Sequence, residues 1–470
     1  MTRFRSLAAT ASALALAACA TGPDYVAPHS PVAASGPFLS TVPAVTTPAP
    51  VEGNWWQLYR DPVLDRLIAD ALAANTDIRV AVANLAKARA ALREVRTDRL
   101  PDAGVSASGQ YGRVSQSQRA PGAPRENWTV DTGLDVSYEI DLFGRVSRGI
   151  EAARGDVEAT QADADAVRVA VVADTARAYA DAVSAGERLA VARHIVELLD
   201  QSLKVTTRRV EVGMTTRLDT SRIAALRNQR AADVPAIAAE RDAALFRLAT
   251  LTGRAPRDLP ADVAVRTTTL RLARPIPVGD GAALLARRPD VRAAERRLAA
   301  ATARVGVATA DLYPRVTLGA SIGSTGAGVG DLFGGGPLRW LLGPLISWSF
   351  TDHERARARV AGARADSQAE LARFDGTLLK ALEETETALS RYAHALDRRT
   401  ALQAARDEAE VAAKITRAQQ REGQVDALTA LDAERTLAET RAALALEDAQ
   451  IADAQVDLFR ALGGGWQPQV

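Results

Sequence analysis

Side chains capable of nucleophilic or metal-binding chemistry are few in this chain and lie far apart. Cys19 is the only cysteine, so no internal disulfide is possible. The four histidines show no spacing typical of a metal site. They are His29, His194, His353 and His394. We therefore expect no catalytic centre, no bound metal and no cofactor, and an enzyme is the least favoured class of protein.

The chemistry that Cys19 favours is covalent lipidation. Two arginines within the first five residues precede an apolar segment, residues 7–18, that is too short to span a bilayer, which is typical of an export signal. The signal ends in Leu16-Ala17-Ala18-Cys19, which resembles a bacterial lipobox. The alternative is an incidental thiol after an ordinary signal. The resemblance implies that residues 1–18 are a lipoprotein signal peptide, that Cys19 becomes an acylated N-terminus, and that Ala20 directs the protein to the outer membrane. Two or three acyl chains would anchor it stably.

The balance of charges excludes one large class of partner. Lysine and arginine together number 58, against 57 aspartates and glutamates, so the chain has no basic field that would hold nucleic acid. Aromatic residues make up only 4% of the chain and alanine is abundant, a composition that suits extended helix packing better than a wide globular core. We expect long, thin helical elements and no nucleic-acid partner.

The chain passes twice through one order of elements, which indicates an internal duplication. Gly213 and Gly423 are 210 residues apart, and Ser137-Tyr138 and Ser347-Trp348 keep the same offset. The predicted organisation is a signal peptide, an extended tether, a first structural repeat, a linker and a second structural repeat. Their bounds are residues 1–18, 19–54, 55–256, 257–288 and 289–465.

Each repeat contains a pair of predicted strands in which apolar and polar residues alternate. The first pair lies at about 103–140 and the second at about 316–350. In the first pair Trp128, Leu134 and Tyr138 fall on one face, while Asp131 and Asp135 fall on the other. Such alternation occurs both in a two-sided sheet packed on helices and in a membrane β-barrel, and the pattern alone does not choose between them. The predicted lipid anchor favours the barrel.

Long helices follow each strand pair. Residues 144–209 carry apolar side chains at intervals of seven, the period of a coiled coil, and residues 374–402 do the same. At the rise of an α-helix the first of these would be roughly 100 Å long. The helices predicted over 75–99 and 216–251 together nearly match that length, so we expect them to stack end to end beside it. Pro235 should bend the second of them.

Four strands per chain are too few to close a barrel, because the smallest membrane barrels have about eight. An open sheet edge in hydrocarbon would leave backbone groups without hydrogen bonds, so several copies must join edge to edge. Two, three or four copies would give about eight, twelve or sixteen strands. Geometry alone leaves these alternatives open.

Two further segments connect this chain with a known family. Residues 137–145 read Ser-Tyr-Glu-Ile-Asp-Leu-Phe-Gly-Arg, and residues 428–435 read Leu-Thr-Ala-Leu-Asp-Ala-Glu-Arg. With the lipobox and the duplicated strand pairs, they make the chain resemble the TolC-like outer membrane factors, and in particular their lipoprotein efflux branch. The resemblance covers essentially the whole mature chain. It implies a mainly α-helical fold with a membrane β-barrel part, in which a homotrimer forms a twelve-stranded barrel and a periplasmic tunnel of coiled-coil helices.

The resemblance also assigns a role to two turns. Val212-Gly213-Met214-Thr215 is similar to the turn that joins a long and a short helix and contacts a periplasmic adaptor protein. Its counterpart in the second repeat is Glu422-Gly423-Gln424-Val425. Glycine suits such a reversal because it adopts left-handed backbone conformations without steric cost. Reversal of the chain would need both glycines even without an adaptor.

Leu428 and Asp432 lie four residues apart and therefore share one face of a helix. In the family that this chain resembles, that face narrows the mouth of the tunnel with a ring of leucines and a ring of aspartates, and a ring of aspartates favours cations. The other branch of the family has a second aspartate where this chain has Thr429. The alternative for Asp432 is a solvated carboxylate at the helix end.

The implied function is that of a passive exit duct in the outer membrane that extends into the periplasm. It would work with a periplasmic adaptor and with an inner-membrane RND-type pump that supplies the energy, and its cargo would be drugs or other small molecules. The residues leave two alternatives open: a type I secretion channel for polypeptides, and a structural coiled-coil lipoprotein of the cell envelope. The sequence does not name a substrate, because a wide duct leaves selection to the pump.

Overall fold

The structure is a computed structural model. It describes residues 21–28, 34–41, 45–50, 53–113, 115–117, 119, 121–122, 124–272, 274–333, 338–348 and 352–464. Cys19 and the predicted signal peptide lie outside the described residues, and so does the end of the last predicted strand at Phe350.

The first repeat begins with two helices, α1 (Pro62–Ala74) and α2 (Thr76–Thr97). The second corresponds to the helix predicted over 75–99, whereas α1 was not predicted. Asn75 separates the two helices. Its side-chain oxygen accepts a hydrogen bond from the amide of Asp77 at 2.8 Å, which caps α2. Its side-chain amide group donates to the carbonyl oxygen of Leu251 at 3.0 Å, which ties the break between the helices to a third helix.

Six further helices continue the chain, and four of them repeat in length. The long ones have 67 and 69 residues, and each is followed by a return helix of 35 residues, one of which runs through Pro235. These six helices are α3 (Arg145–Glu211), α4 (Arg217–Leu251), α5 (Gly281–Arg287), α6 (Pro289–Ala310), α7 (His353–Arg421) and α8 (Ala427–Ala461). The matched lengths are the structural counterpart of the duplication in the sequence. Among the described residues, no helix is both long enough and apolar enough to cross a lipid bilayer.

One antiparallel sheet combines strands of both repeats. Its strands are β1 (Asp102–Arg113), β2 (Glu126–Ile140), β3 (Arg315–Gly326) and β4 (Leu338–Ser347). They pair in the order β1-β2-β3-β4, so the two hairpins meet where β2 pairs with β3. A two-residue parallel pair, Thr46–Thr47 with Ile276–Pro277, lies elsewhere and was not predicted.

The two faces of the sheet differ in polarity. One face carries a row of exposed apolar side chains that crosses all four strands, formed by Val105, Leu134, Ile322 and Trp340. On the other face the guanidinium of Arg339 donates to Asp131 at 2.7 Å, although β4 carries leucines on this face too. The alternation read from the sequence therefore corresponds to the two faces of this sheet.

The chain forms two compact units, and each draws on both repeats. Unit 1 consists of residues 1–28, 84–161 and 293–375, and unit 2 of residues 29–83, 162–292 and 376–470. Each unit thus combines segments of the first and the second repeat.

In unit 1, a short segment after the predicted lipidation site crosses the helices. We call residues 21–28 the strap. The amide of Thr21 donates to the carbonyl oxygen of Phe143 at 3.1 Å, between β2 and α3. Arg148, which is buried, donates to Asp24 at 2.5 Å. The strap is thus fixed to the start of α3.

Unit 2 holds the main hydrophobic core. Trp55 is fully buried and stacks on Phe459 of α8, with ring centroids 4.5 Å apart and an angle of 12° between the rings. The hydroxyl of Tyr179 donates to Asp61 at 3.0 Å inside the same core, and Phe38 of the predicted tether is buried there as well. This core joins the beginning of the first repeat to the end of the second.

Candidate functional site

The first helix reversal, Val212–Thr215, joins α3 to α4 through a Schellman motif. The amide of Met214 donates to the carbonyl oxygen of Arg209 at 2.8 Å, and the amide of Gly213 donates to that of Val210 at 3.0 Å. Gly213 has φ of +75°, in the left-handed region. These bonds satisfy carbonyls that the end of α3 leaves free, and only glycine takes this conformation without strain.

The second reversal, Glu422–Val425, has the same geometry between α7 and α8. The amide of Gln424 donates to the carbonyl oxygen of Gln419 at 2.9 Å, and the amide of Gly423 donates to that of Gln420 at 3.2 Å. Gly423 also has φ of +75°. The eight residues predicted as adaptor contacts therefore form two turns of one type. Their role as contacts stays a prediction.

The return helices start with caps that use the same residue types in opposite order. Before α4, the amide of Thr216 donates to the carboxylate of Asp219 at 3.2 Å. Before α8, the carboxylate of Asp426 accepts from the amide of Thr429 at 2.8 Å. Hydrogen bonds from the threonines lower the pKa of both aspartates, so both stay charged at the positive ends of their helices. The spacing of threonine and aspartate could have revealed both caps.

The two turns lie next to each other. The guanidinium of Arg209 donates to the carbonyl oxygen of Gln420 at 3.4 Å. The negative charge of Asp219 raises the pKa of Asp426 and so opposes the hydrogen bonds that lower it. The side chains of Val212 and Met214 project outward, with exposed fractions of 63% and 75%. Together the turns form a surface of apolar and acidic groups at one end of unit 2.

The predicted gate residues lie on the exposed side of α8, just after the second turn. Leu428 is 48% exposed and the carboxylate of Asp432 is 69% exposed. Leu431, on another face of α8, packs into a cluster with Ile195 of α3. The helix therefore presents Leu428 and Asp432 away from the protomer, as a shared face requires. Whether this face lines a tunnel stays a prediction.

Sequence reasoning missed a cation beside Asp432. The guanidinium of Arg435 lies 3.7 Å from the carboxylate of Asp432 and also 3.7 Å from that of Glu439. Glu439 in turn accepts from Arg230 of α4 at 2.9 Å. These exposed ion pairs contribute little to stability. They connect Asp432 to a line of alternating charges, and the three-residue spacing from Asp432 to Arg435 could have revealed the first pair.

A titratable pair lies deeper in unit 2, between α3 and α8. Burial, together with the nearby carboxylate of Asp181, raises the pKa of Asp453 to about 7, although Arg177 opposes the shift. Burial also raises the pKa of Asp181. Arg177 forms an ion pair with Asp457 beside them. Two carboxylates at close range favour the sharing of one proton.

Two of the histidines, His194 and His394, are exposed and lie near acidic neighbours on their own helices. Within the described ranges, no group of three or more histidine, cysteine, aspartate or glutamate side chains is placed to hold a metal ion. The main features of the described chain are the sheet, the long helices and the two turns.

Sequence comparison assigns this architecture to a family. A family model described as outer membrane efflux protein matches residues 67–254 and 282–464. The chain belongs to the outer membrane efflux protein family. Its matched segments contain both pairs of strands and both turns. Membership makes the protein a TolC-like efflux channel of the outer membrane, as the sequence predicted.

Relatives in this family match the chain over nearly its whole length. Outer membrane protein OprJ of Pseudomonas aeruginosa is 32% identical over 458 residues, which cover 97% of this chain and 94% of OprJ. The toluene efflux pump outer membrane protein TtgC of Pseudomonas putida is 31% identical over 477 residues, which cover 99% of this chain and 96% of TtgC. Nodulation protein T of Rhizobium leguminosarum bv. trifolii is 28% identical over 479 residues, which cover 99% and 98%.

Solved structures of outer-membrane channels have the same fold. The outer-membrane channel OprN superposes with a TM-score of 0.90 at 37% identity, covering 96% of this chain and all of OprN. The open state of the MtrE outer membrane channel of Neisseria gonorrhoeae gives a TM-score of 0.82 at 28% identity, covering 95% of this chain and 98% of MtrE. The long helices and the sheet therefore follow the fold of the efflux channels.

Proposed function

We propose that this protein is the outer-membrane channel of a tripartite efflux system, a trimer that acts as a passive exit duct for drugs or other small molecules. It is a conduit and not an enzyme. A periplasmic adaptor joins it to an inner-membrane RND-type pump, which supplies the energy. The observation that carries the proposal is the open sheet, in a chain that belongs to an efflux family over most of its length.

The open sheet supports assembly because its outer strands lack partners. Among the described residues, β1 pairs only with β2, and β4 pairs only with β3. In a bilayer such edges would leave amide and carbonyl groups without hydrogen bonds. Three copies joined from β4 to β1 would give a barrel of about twelve strands. The apolar row from Val105 to Trp340 would then face lipid, and the face with Asp131 and Arg339 would line the lumen.

The mass of the assembly tests this proposal. Detergent-solubilised protein should have the mass of about three chains in light scattering after the detergent contribution is subtracted. Its circular dichroism should be dominated by helix. A stable monomer with undiminished secondary structure would contradict the barrel, since its sheet edges would then be open to detergent.

The lipid anchor at Cys19 belongs to the same proposal. Thr21, two residues later in sequence, is bonded to Phe143 at the junction of the sheet and α3, so an acyl chain on Cys19 would start close to the membrane-facing part of unit 1. Cys19→Ala should abolish incorporation of labelled palmitate, because the thiol that accepts the lipid is removed. Undiminished labelling of this variant would show that the lipobox interpretation is wrong.

The adaptor would dock on the two helix turns. They are exposed, they are adjacent, and their shared backbone geometry presents different side chains, including Met214 in one turn and Gln424 in the other. An adaptor that binds the turns of both repeats would therefore contact two related but distinct surfaces in each subunit.

A further inference from the structure

A charged cavity of about 440 Å³ lies in unit 1, where β4 meets α7. Three arginines and two aspartates contribute to its lining: Arg315, Arg355, Arg359, Asp311 and Asp352. Every ion pair among them is long, between 3.3 and 3.7 Å. Each guanidinium is more than half exposed. The cavity thus has one cation in excess and room for a further acidic group.

In the first repeat, the corresponding junction between strand and helix has its acidic partners in place. There Arg145, at the start of α3, donates two hydrogen bonds to Glu139 at 2.7 and 2.6 Å. Hydrogen bonds to Glu139 raise the pKa of Arg145, and the negative charges of Asp98 and Asp311 raise it further. The charges of two aspartates thus act on Arg145: Asp98 follows helix α2 of the same repeat, and Asp311 follows α6 of the next repeat.

The duplication gives each of these residues a counterpart. Arg355 follows Arg145 by 210 positions, the offset that also separates the two turn glycines. Asp98 and Asp311 each begin an Asp-x-x-Pro sequence directly before a first strand of a pair. Within the chain, Asp311 acts on Arg145 across the boundary between β2 and β3. Asp98 of another copy would have the corresponding position relative to Arg355, across a boundary between β4 and β1.

We propose that the cavity receives Asp98 of the partner subunit and that Arg355 holds its carboxylate. This inference rests on the proposed trimer, in which β4 of one copy pairs with β1 of the next. In the isolated chain Asp98 is exposed, and among the described residues no cation lies within 4 Å of its carboxylate. In the trimer, the cavity and Asp98 would therefore form a joint between two subunits. It corresponds to the joint around Arg145, which is complete within unit 1.

Two differences make the joint between subunits depend more on charge than the joint within the chain. At the inner joint Phe143 stacks on Tyr313 with centroids 4.6 Å apart. The residues at the corresponding positions are His353 and Leu100, which offer less aromatic contact. The position that corresponds to Glu139 is Ser349, which has no charge. Arg355 therefore lacks the acidic strand partner that Arg145 has, and a carboxylate from outside would replace it.

A charge exchange in the full-length, detergent-solubilised protein tests the joint. The variants are Arg355→Glu, Asp98→Arg and the double exchange, and the measurement is the rate at which trimers dissociate at raised temperature, followed by native mass spectrometry. Each single variant should dissociate at least about fivefold faster, because like charges then meet at three joints, and the double exchange should return the rate to within about twofold of the original. Arg357→Glu is the matched control, since Arg357 lies on the same helix, pairs with Glu354 at 3.1 Å and is not part of the cavity.

The outcomes separate this inference from the proposed function. If the unaltered protein is trimeric and the double exchange dissociates as fast as the worse single variant, the two residues do not meet and the joint is refuted, while the channel stands. If the unaltered protein is monomeric, the proposed trimer itself fails. Should a charge reversal prevent folding, Arg355→Gln and Asp98→Asn provide a milder cycle. Strictly additive effects of these two changes would also refute the contact.

Discussion

Gly213 and Gly423 have the same φ of +75°, although 210 residues separate them. The hydrogen bonds around them also agree, whereas the residues that follow them, Met214 and Gln424, differ in chemistry. The backbone of the reversal is thus the same in both repeats, and the side chains beside it are not. The glycine is needed for the turn, whereas the side chains next to it can contact a partner protein.

Replacement of the turn glycines tests whether the turns contact the adaptor, separately from their role in reversing the chain. A Cβ at Gly213 would meet no atom within 4 Å, so a large side chain there has room within the chain and the cost is the left-handed backbone, about 1 kcal/mol. Gly213→Trp should impair efflux, measured as drug susceptibility of cells, while trimer abundance is unchanged. Gly213→Asn is the control, because asparagine tolerates this conformation and is small. Normal efflux with tryptophan at both Gly213 and Gly423 would argue that docking occurs elsewhere.

The gate residues predict two separable effects on conductance. Leu428→Ala should widen the resting mouth more than Asp432→Asn does, because the apolar contact that would hold the mouth closed is lost. Asp432→Asn should mainly lower cation preference, since the charge is removed and the size is kept. Single-channel recording in planar bilayers measures both. Unchanged conductance in the first variant, together with unchanged selectivity in the second, would show that this face does not line the constriction.

Arg435 supplies a control that the sequence alone did not suggest. Its guanidinium lies 3.7 Å from Asp432 and offsets part of that negative charge. Arg435→Gln should therefore raise cation preference, the reverse of the change expected for Asp432→Asn. Because the pair is exposed, thermal stability should be unaffected by either change.

The carboxylates of Asp453 and Asp181 predict a dependence of stability on pH. Asp453 has a pKa of about 7 when folded, against 3.8 as its ordinary value, so between those pH values the folded state binds more protons than the unfolded state. The free energy of unfolding should therefore fall as pH rises from about 4 to about 7, by the order of 1–2 kcal/mol per chain after allowance for solvent screening. Asp453→Asn should remove most of this fall in urea denaturation. The exposed Asp432→Asn should leave it as it is, and an unaltered slope in Asp453→Asn would contradict the assignment.

Much of the fold follows from local sequence, because its signals are short-range. Leu100-Pro101 ends a helix, alternation marks the strands, and the glycines mark the reversals, so the bounds of α3 and α4 differ from the predicted ones by two residues or fewer. The helix α1 was not predicted, although the predicted helix start at Asn75 falls at the break before α2. The hydrogen bond from Asn75 to the distant Leu251, which ties this break to α4, has no signal in the local sequence.

The candidate site was predictable only in part. The pattern around Gly213 and Gly423 identified two turns, but their adjacency depends on a bond from Arg209 to Gln420, which no spacing predicts. The pKa of Asp453 depends on how deeply α8 packs against α3, and burial of that kind is a property of the whole unit. Pairings between repeats therefore required the structure.

The strap crosses α6 at a point where two glycines touch. A Cβ on Gly22 would lie 2.5 Å from the Cα of Gly306, and a Cβ on Gly306 would lie 2.8 Å from Cγ of Arg148 and 3.1 Å from the carbonyl oxygen of Thr21. No side chain fits at Gly306 unless the backbone of the strap or the buried Arg148 shifts. Such overpacking costs about 1–3 kcal/mol.

Gly306→Val should therefore detach the strap from the helices while the rest of unit 1 stays folded. Limited proteolysis should then cleave within residues 21–28 much faster than in the unaltered protein, because the bonds of Thr21 and Asp24 are lost. Gly362→Ala is the matched control, since a Cβ there meets no atom within 4 Å on the exposed side of α7. In a helix interior alanine is favoured over glycine by about 0.5–1 kcal/mol, so this variant should be slightly stabilised. If Gly306→Val is cut no faster than Gly362→Ala, the contact between the two glycines does not hold the strap.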